Sequence, residues 1–192
     1  MEVNNETGVE IQPVNNTKEL FKNALFYGLM LAGSLILLDL LNYTFNFSGL
    51  GMIFGIIMPL VILSIYIGFF VWAGRKYRNK YYGGHINYGK AFLFCLLMAL
   101  VSLIVLTLYY YIFYNFFDPE RAANEIQVGM SVIESNQYFP DDKKEEILTE
   151  MSQITTGKIV MQKMASSAFW CLILAAISAL FVRKKVKITE VY

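Results

Sequence analysis

Polar and apolar residues are sorted into long blocks along this chain. Four apolar blocks recur, at about residues 24–46, 50–73, 91–117 and 165–182, and the only charge inside them is Asp39, in the first. A bilayer core of about 30 Å takes roughly 20 apolar helical residues, with a working range near 17 to 25. Each block therefore predicts a membrane-spanning helix. A helix on a soluble core would confine its apolar residues to one stripe, whereas these are apolar all round. The expected fold class is all-α, an integral membrane four-helix transmembrane bundle.

Between the third and fourth blocks, residues 118–164 change period. Asp118, Pro119 and Glu120 supply a cap, a first-turn proline and an acid at a helix start, and Ala122, Ile126, Met130 and Ile133 follow at helical spacing. After a break at SNQYFP, acids open a second segment with Ile147, Met151 and Ile154 on one face. The expectation is an extracytoplasmic helical hairpin between spans three and four. The chain then divides into a cytoplasmic N-terminal tail (1–23), a membrane domain (24–182) that includes the outer loop 118–164, and a basic cytoplasmic tail (183–192).

Charge decides the threading. Eleven of the 16 Lys and Arg residues fall in the two ends and the span 2–3 connector, which an even number of spans places on one side. Short cytoplasmic segments collect Lys and Arg, so both termini are expected in the cytoplasm. Arg75, Lys76, Arg78 and Lys80 form the densest group, read as a topology determinant in reach of anionic headgroups. Trp72, Tyr77, Tyr81 and Tyr82 are expected at that interface. Gly83 and Gly84 permit the reversal that follows, Asn87 caps span three, and the single histidine, His85, reads as a turn residue.

Composition adds exclusions. The chain is 56% hydrophobic and 16% charged, against about 25% charged in an average soluble domain. A net charge of +1 without a basic patch on a soluble fold gives no ground for nucleic acid as a partner. Cys95 and Cys171 both lie in apolar blocks and read as packing residues, so no disulfide framework is expected. The first apolar run begins too late and runs too long for a cleaved signal peptide.

Few residues carry candidate chemistry. Asp39 is the sharpest, since an ionisable group within a span is costly and usually functional. Asn42 and Asn46 share its face, and the three make a candidate intramembrane polar site, read as a proton or cation site lined by amides. No Lys, Arg or His lies within a span to pair with Asp39. The plainer reading is a carboxylate hydrogen-bonded to Asn42, Tyr43 or a neighbouring helix, and it is the favoured one. Gly51, Gly55 and Pro59 make a small-residue stripe with a helix-breaking proline, suited to helix packing or a hinge. No Ser-His-Asp, Cys-His, metal-ligand or phosphate-loop pattern is present, so catalytic residues, metal and cofactors are each read as none.

The order of spans, the connector YR…YYGGHINYGKAF, the FFDPE element closing span three, the long helical loop and the short final span resemble the domain-of-unknown-function family 4199. The likeness covers about residues 20–185. It implies a four-pass membrane fold and, because members are best known from Gram-negative bacteria, the inner membrane. It brings no catalytic residues, since none is established for the family. The function expected is a non-catalytic accessory or scaffold subunit of the cell envelope, with the bilayer and either a second copy or another membrane protein as partners. The alternative is a small proton- or cation-coupled transporter using Asp39.

Overall fold

The computed structural model describes residues 16–45, 52–135 and 140–184. Six α-helices follow in order: α1 (Asn16–Phe45), α2 (Met52–Tyr81), α3 (Tyr88–Ile112), α4 (Pro119–Ser135), α5 (Asp141–Ser152) and α6 (Thr156–Val182). A single π turn, Phe113–Phe117, prolongs α3. Helices α1, α2, α3 and α6 are each long and apolar enough to cross a membrane. The chain is a multi-pass helical membrane protein, with α4 and α5 forming a cap at one end of the bundle. The opposite end, where residues 82–87 join α2 to α3, is the connector end.

Local chemistry explains the helix limits. The Asn87 side chain accepts from the backbone N–H of Lys90 at 3.0 Å and starts α3. Asp118 does the same for Arg121 at 3.0 Å and starts α4, with Pro119 in its first turn. Thr155 caps α6 through the N–H of Lys158. That start lies well before the apolar run at 165, so α6 carries an amphipathic first section in which Ile159 and Val160 are buried. The reversal after α2 uses positive φ at Gly83 (54°) and Gly84 (85°), a region that costs glycine nothing. Helix α2 runs through Pro59 within a single helical segment.

Two glycines set how closely the spans approach. A Cβ on Gly28 of α1 would meet Val101 Cβ of α3 at 2.7 Å, and one on Gly74 of α2 would meet Val182 Cγ2 of α6 at 2.6 Å. Lipid tails are as apolar as leucine, so packing of this kind holds membrane helices together. The core gathers Leu31, Phe70, Phe94, Met98, Ala175 and Val182, all fully buried. Phe94 lies flat on Tyr77, centroids 4.4 Å apart and planes 2° apart. Tyr77, expected at the headgroup level, is 1% exposed and belongs to this core. The face that Tyr77 turns inward was not legible in the sequence.

Cross-links tie the connector end. The Tyr81 hydroxyl donates to Glu19 at 2.8 Å, fastening the end of α2 to the start of α1. Ile86 and Lys184 exchange backbone hydrogen bonds at 3.1 Å. Arg78 donates to the Val182 carbonyl at 2.8 Å and so satisfies the last carbonyl of α6.

Candidate functional site

Asp39 lies in the last third of α1, and its carboxylate is engaged on both oxygens. Arg121 of α4 donates from one terminal nitrogen to Oδ1 at 3.0 Å and from the other to Oδ2 at 3.3 Å. The Tyr109 hydroxyl of α3 donates to Oδ2 at 2.8 Å. The two charged side chains are 16% and 15% exposed. A forked guanidinium matches a carboxylate in this way, and a charge at the membrane edge is tolerated when so paired. The cation that sequence reading did not find within any span comes from the first turn of the cap.

The pairing continues as an alternating chain. Arg121 Nε stands 3.6 Å from Glu125, one turn further along α4, and Glu125 pairs with Lys163 of α6 at 2.7 Å. The Tyr114 hydroxyl donates to Glu125 at 2.8 Å and accepts from Lys163. Four formal charges of alternating sign thus link α1, α4 and α6, with Tyr109 of α3 and Tyr114 of the π turn between them. The Arg121 guanidinium also lies 5.3 Å from the Tyr43 ring and 5.0 Å from Phe113, within cation–π range. Burial works against its charge, but the hydrogen bond and charge of Asp39, reinforced by Tyr114 and Glu125, hold its pKa above the ordinary arginine value. Arg121 is therefore a fixed cation.

The π turn explains how α3 serves this chain. Its wider turn closes with the Asp118 N–H donating to the Phe113 carbonyl at 3.0 Å, and it inserts one residue into the helical period. Tyr109, one turn before it, and Tyr114, within it, meet opposite ends of the charge chain. Phe113, Tyr114, Ala122, Ile159 and Val160 make a small buried cluster beneath the cap that shields it.

Beside Asp39 lies a cleft of about 510 Å³ between α1, α2, α3 and α6. Its walls are mostly apolar, while Asp39, Asn42, Tyr66, Tyr110, Ser166 and Ser167 add polar atoms. It exists because α2 stands off at the cap end: no residue from Ile56 to Ile65 is buried, and Tyr66 is the first that is. Pro59 also lines the cleft. Being without an N–H, it leaves the Gly55 carbonyl without its usual helical donor.

The other residues singled out from the sequence are distributed differently. Asn42 lies one turn beyond Asp39 on the cleft wall, whereas Asn46 and Gly51 fall outside the described residues. Arg75, Lys76 and Lys80 are exposed at the connector end, and Arg78 is engaged with α6. Arg121, Glu125, Lys163, Tyr109 and Tyr114 were missed. The one signal for Arg121 was its place directly after FFDPE, the first cation beyond span three. Among the described residues no group of three His, Cys, Asp or Glu is arranged to hold a metal ion.

Comparison with known proteins gives one assignment. No curated protein and no solved structure matches the chain. The family model described as protein of unknown function (DUF4199) matches residues 22–184, taking in all four spans and the whole cap. The chain belongs to the DUF4199 family.

Proposed function

We propose that this protein is a non-catalytic accessory or scaffold subunit of the cell envelope. The reading places it in the cytoplasmic membrane of a Gram-negative cell with both termini inside, in keeping with the eleven Lys and Arg residues at the connector end and the two ends of the chain. One observation carries the functional part: the single intramembrane carboxylate is committed to Arg121 and Tyr109. A transport site has to release its ion partner in each cycle, whereas a structural site holds it. Here the pair fastens the cap to the bundle and presents α4 and α5 as a fixed surface for another envelope protein or a second copy.

The test is affinity purification of the full chain in mild detergent, beside an Arg121→Leu variant. A defined partner or a dimer, weakened when the cap is unfastened, supports the scaffold. A partnerless monomer would overturn it.

A second reading, proton- or cation-coupled transport, is favoured by the cleft that reaches Asp39. Reconstituted vesicles distinguish the two. Transport requires ion flux that disappears in Asp39→Asn, and flux unchanged by that substitution removes Asp39 from any such mechanism.

A further inference from the structure

At the connector end a second groove, about 540 Å³, runs between α2 and α6. Ile67, Gly68, Val71 and Phe181 form its apolar length, and Arg75, Lys76 and Asn79 form its polar end, with Trp72 between the two. Among the described residues no carboxylate lines it. Gly68 opens the apolar part, since a Cβ built there meets no atom within 4 Å.

The three polar residues have distinct commitments. Lys76 Nζ stands 4.2 Å from the centroid of the Trp72 ring and keeps its hydrogen-bond donors. Asn79 accepts from Arg78 through its carbonyl oxygen at 3.1 Å, which leaves its amide N–H groups as donors. Among the described residues, no protein acceptor engages the Arg75 guanidinium. Arg78 and Lys80 take no part, because Arg78 is turned onto α6 and Lys80 lies over the Tyr81 ring. Two cations and an amide donor thus border one end of an apolar slot that runs along α2.

We propose that this groove binds one anionic phospholipid, its phosphate held by Arg75, Lys76 and Asn79 and an acyl chain laid along Gly68 between α2 and α6. Charge complementarity selects the headgroup: a phosphodiester presents acceptors that the three donors match, and a net negative charge answers two cations that no acid among the described lining residues offsets. The slot selects a lipid over a free anion, since an acyl chain gains contact along a strip that has no side chain at Gly68. Bound in this way, the lipid fills the space between α2 and α6 and fixes the bundle against the leaflet.

The experiment uses the purified, delipidated full-length protein, titrated with phosphatidylglycerol, phosphatidylcholine or inorganic phosphate, and reads thermal stability and retained lipid by native mass spectrometry. Phosphatidylglycerol should be retained and raise the melting temperature, and phosphatidylcholine should bind much more weakly. Arg75→Gln with Lys76→Gln should weaken phosphatidylglycerol binding about 30-fold, and either change alone about 5-fold. Gly68→Leu fills the slot at a position with room for it and should weaken binding with every charge intact. Equal retention of the two lipids would overturn the proposal, as would full binding by the double variant. Undiminished binding by Gly68→Leu, or inorganic phosphate matching the lipid, would show an anion site without an acyl slot and overturn it equally.

Discussion

Arg121 and Asp39 meet as a forked ion pair between the first turn of the cap and the end of the first span, with nitrogen–oxygen distances of 3.0 and 3.3 Å. Pairing of this kind makes each partner depend on the other, because desolvation is offset only while both are present. Arg121→Leu strands the carboxylate and should destabilise the protein by about 3 kcal/mol. Asp39→Leu combined with Arg121→Leu should cost less than the two single changes together, with a coupling above about 1 kcal/mol. Thermal or denaturant unfolding in detergent completes the cycle, and strictly additive losses would refute the pairing. Because the folded-state pKa of Arg121 is raised, its contribution is present below its unfolded value and lost only as pH rises through the higher folded one. The arginine share of this stability is thus constant across the ordinary working range.

Glu125 and Lys163 are expected to contribute less. Their side chains are 33% and 35% exposed, so solvent screens the pair, and Lys163→Met should cost below about 1 kcal/mol. The difference from the parent protein should shrink as salt rises toward 1 M, where the screening length falls to about 3 Å. A cost of several kcal/mol, or one indifferent to salt, would mean that Lys163 acts through something other than this charge chain.

Gly74 is expected to be intolerant of a side chain. Gly74→Val drives a new branch into Val182 across the α2–α6 contact, and overpacking of this kind costs about 1–3 kcal/mol. Gly33 gives the contrast, because a Cβ there meets nothing within 4 Å. Gly33→Ala should therefore be neutral or stabilising by up to about 1 kcal/mol. Melting temperatures of the two variants test the pair, and similar losses at both positions would contradict the close approach of α2 and α6.

Tyr77 separates ring from hydroxyl. The ring stacks on Phe94 in the core, while the buried hydroxyl oxygen, with Tyr82 its nearest polar neighbour, meets no partner in hydrogen-bond geometry among the described residues. Tyr77→Phe should be tolerated or slightly stabilising, since it removes an unsatisfied polar atom. Tyr77→Ala should cost about 3–5 kcal/mol. A severe loss from Tyr77→Phe alone would show that the hydroxyl has an essential partner.

What could be read from the chain follows the range of the interaction. The spans were visible because hydrocarbon imposes a length and a composition on twenty neighbouring residues. The caps at Asn87 and Asp118 were visible because each acts three residues away. Asp39 was recognisable as an anomaly, but its partner was not, since 82 residues separate them and only tertiary packing brings the cap over α1. The cleft was equally invisible: it arises from how far α2 stands from its neighbours, which the composition of α2 does not encode. Likewise the cations closing α2 looked equivalent in sequence, and packing divided them into Arg75 and Lys76 at a groove and Arg78 against α6.

The separation between Asp39 and Arg121 also has a meaning in time. During synthesis the first span emerges with a bare carboxylate, and the arginine that answers it is made 82 residues later. The cap must then fold back onto the end of α1 before the two can meet. Closure of this pair therefore cannot precede synthesis of α4, and a chain halted directly after its third span would carry a carboxylate without its cation.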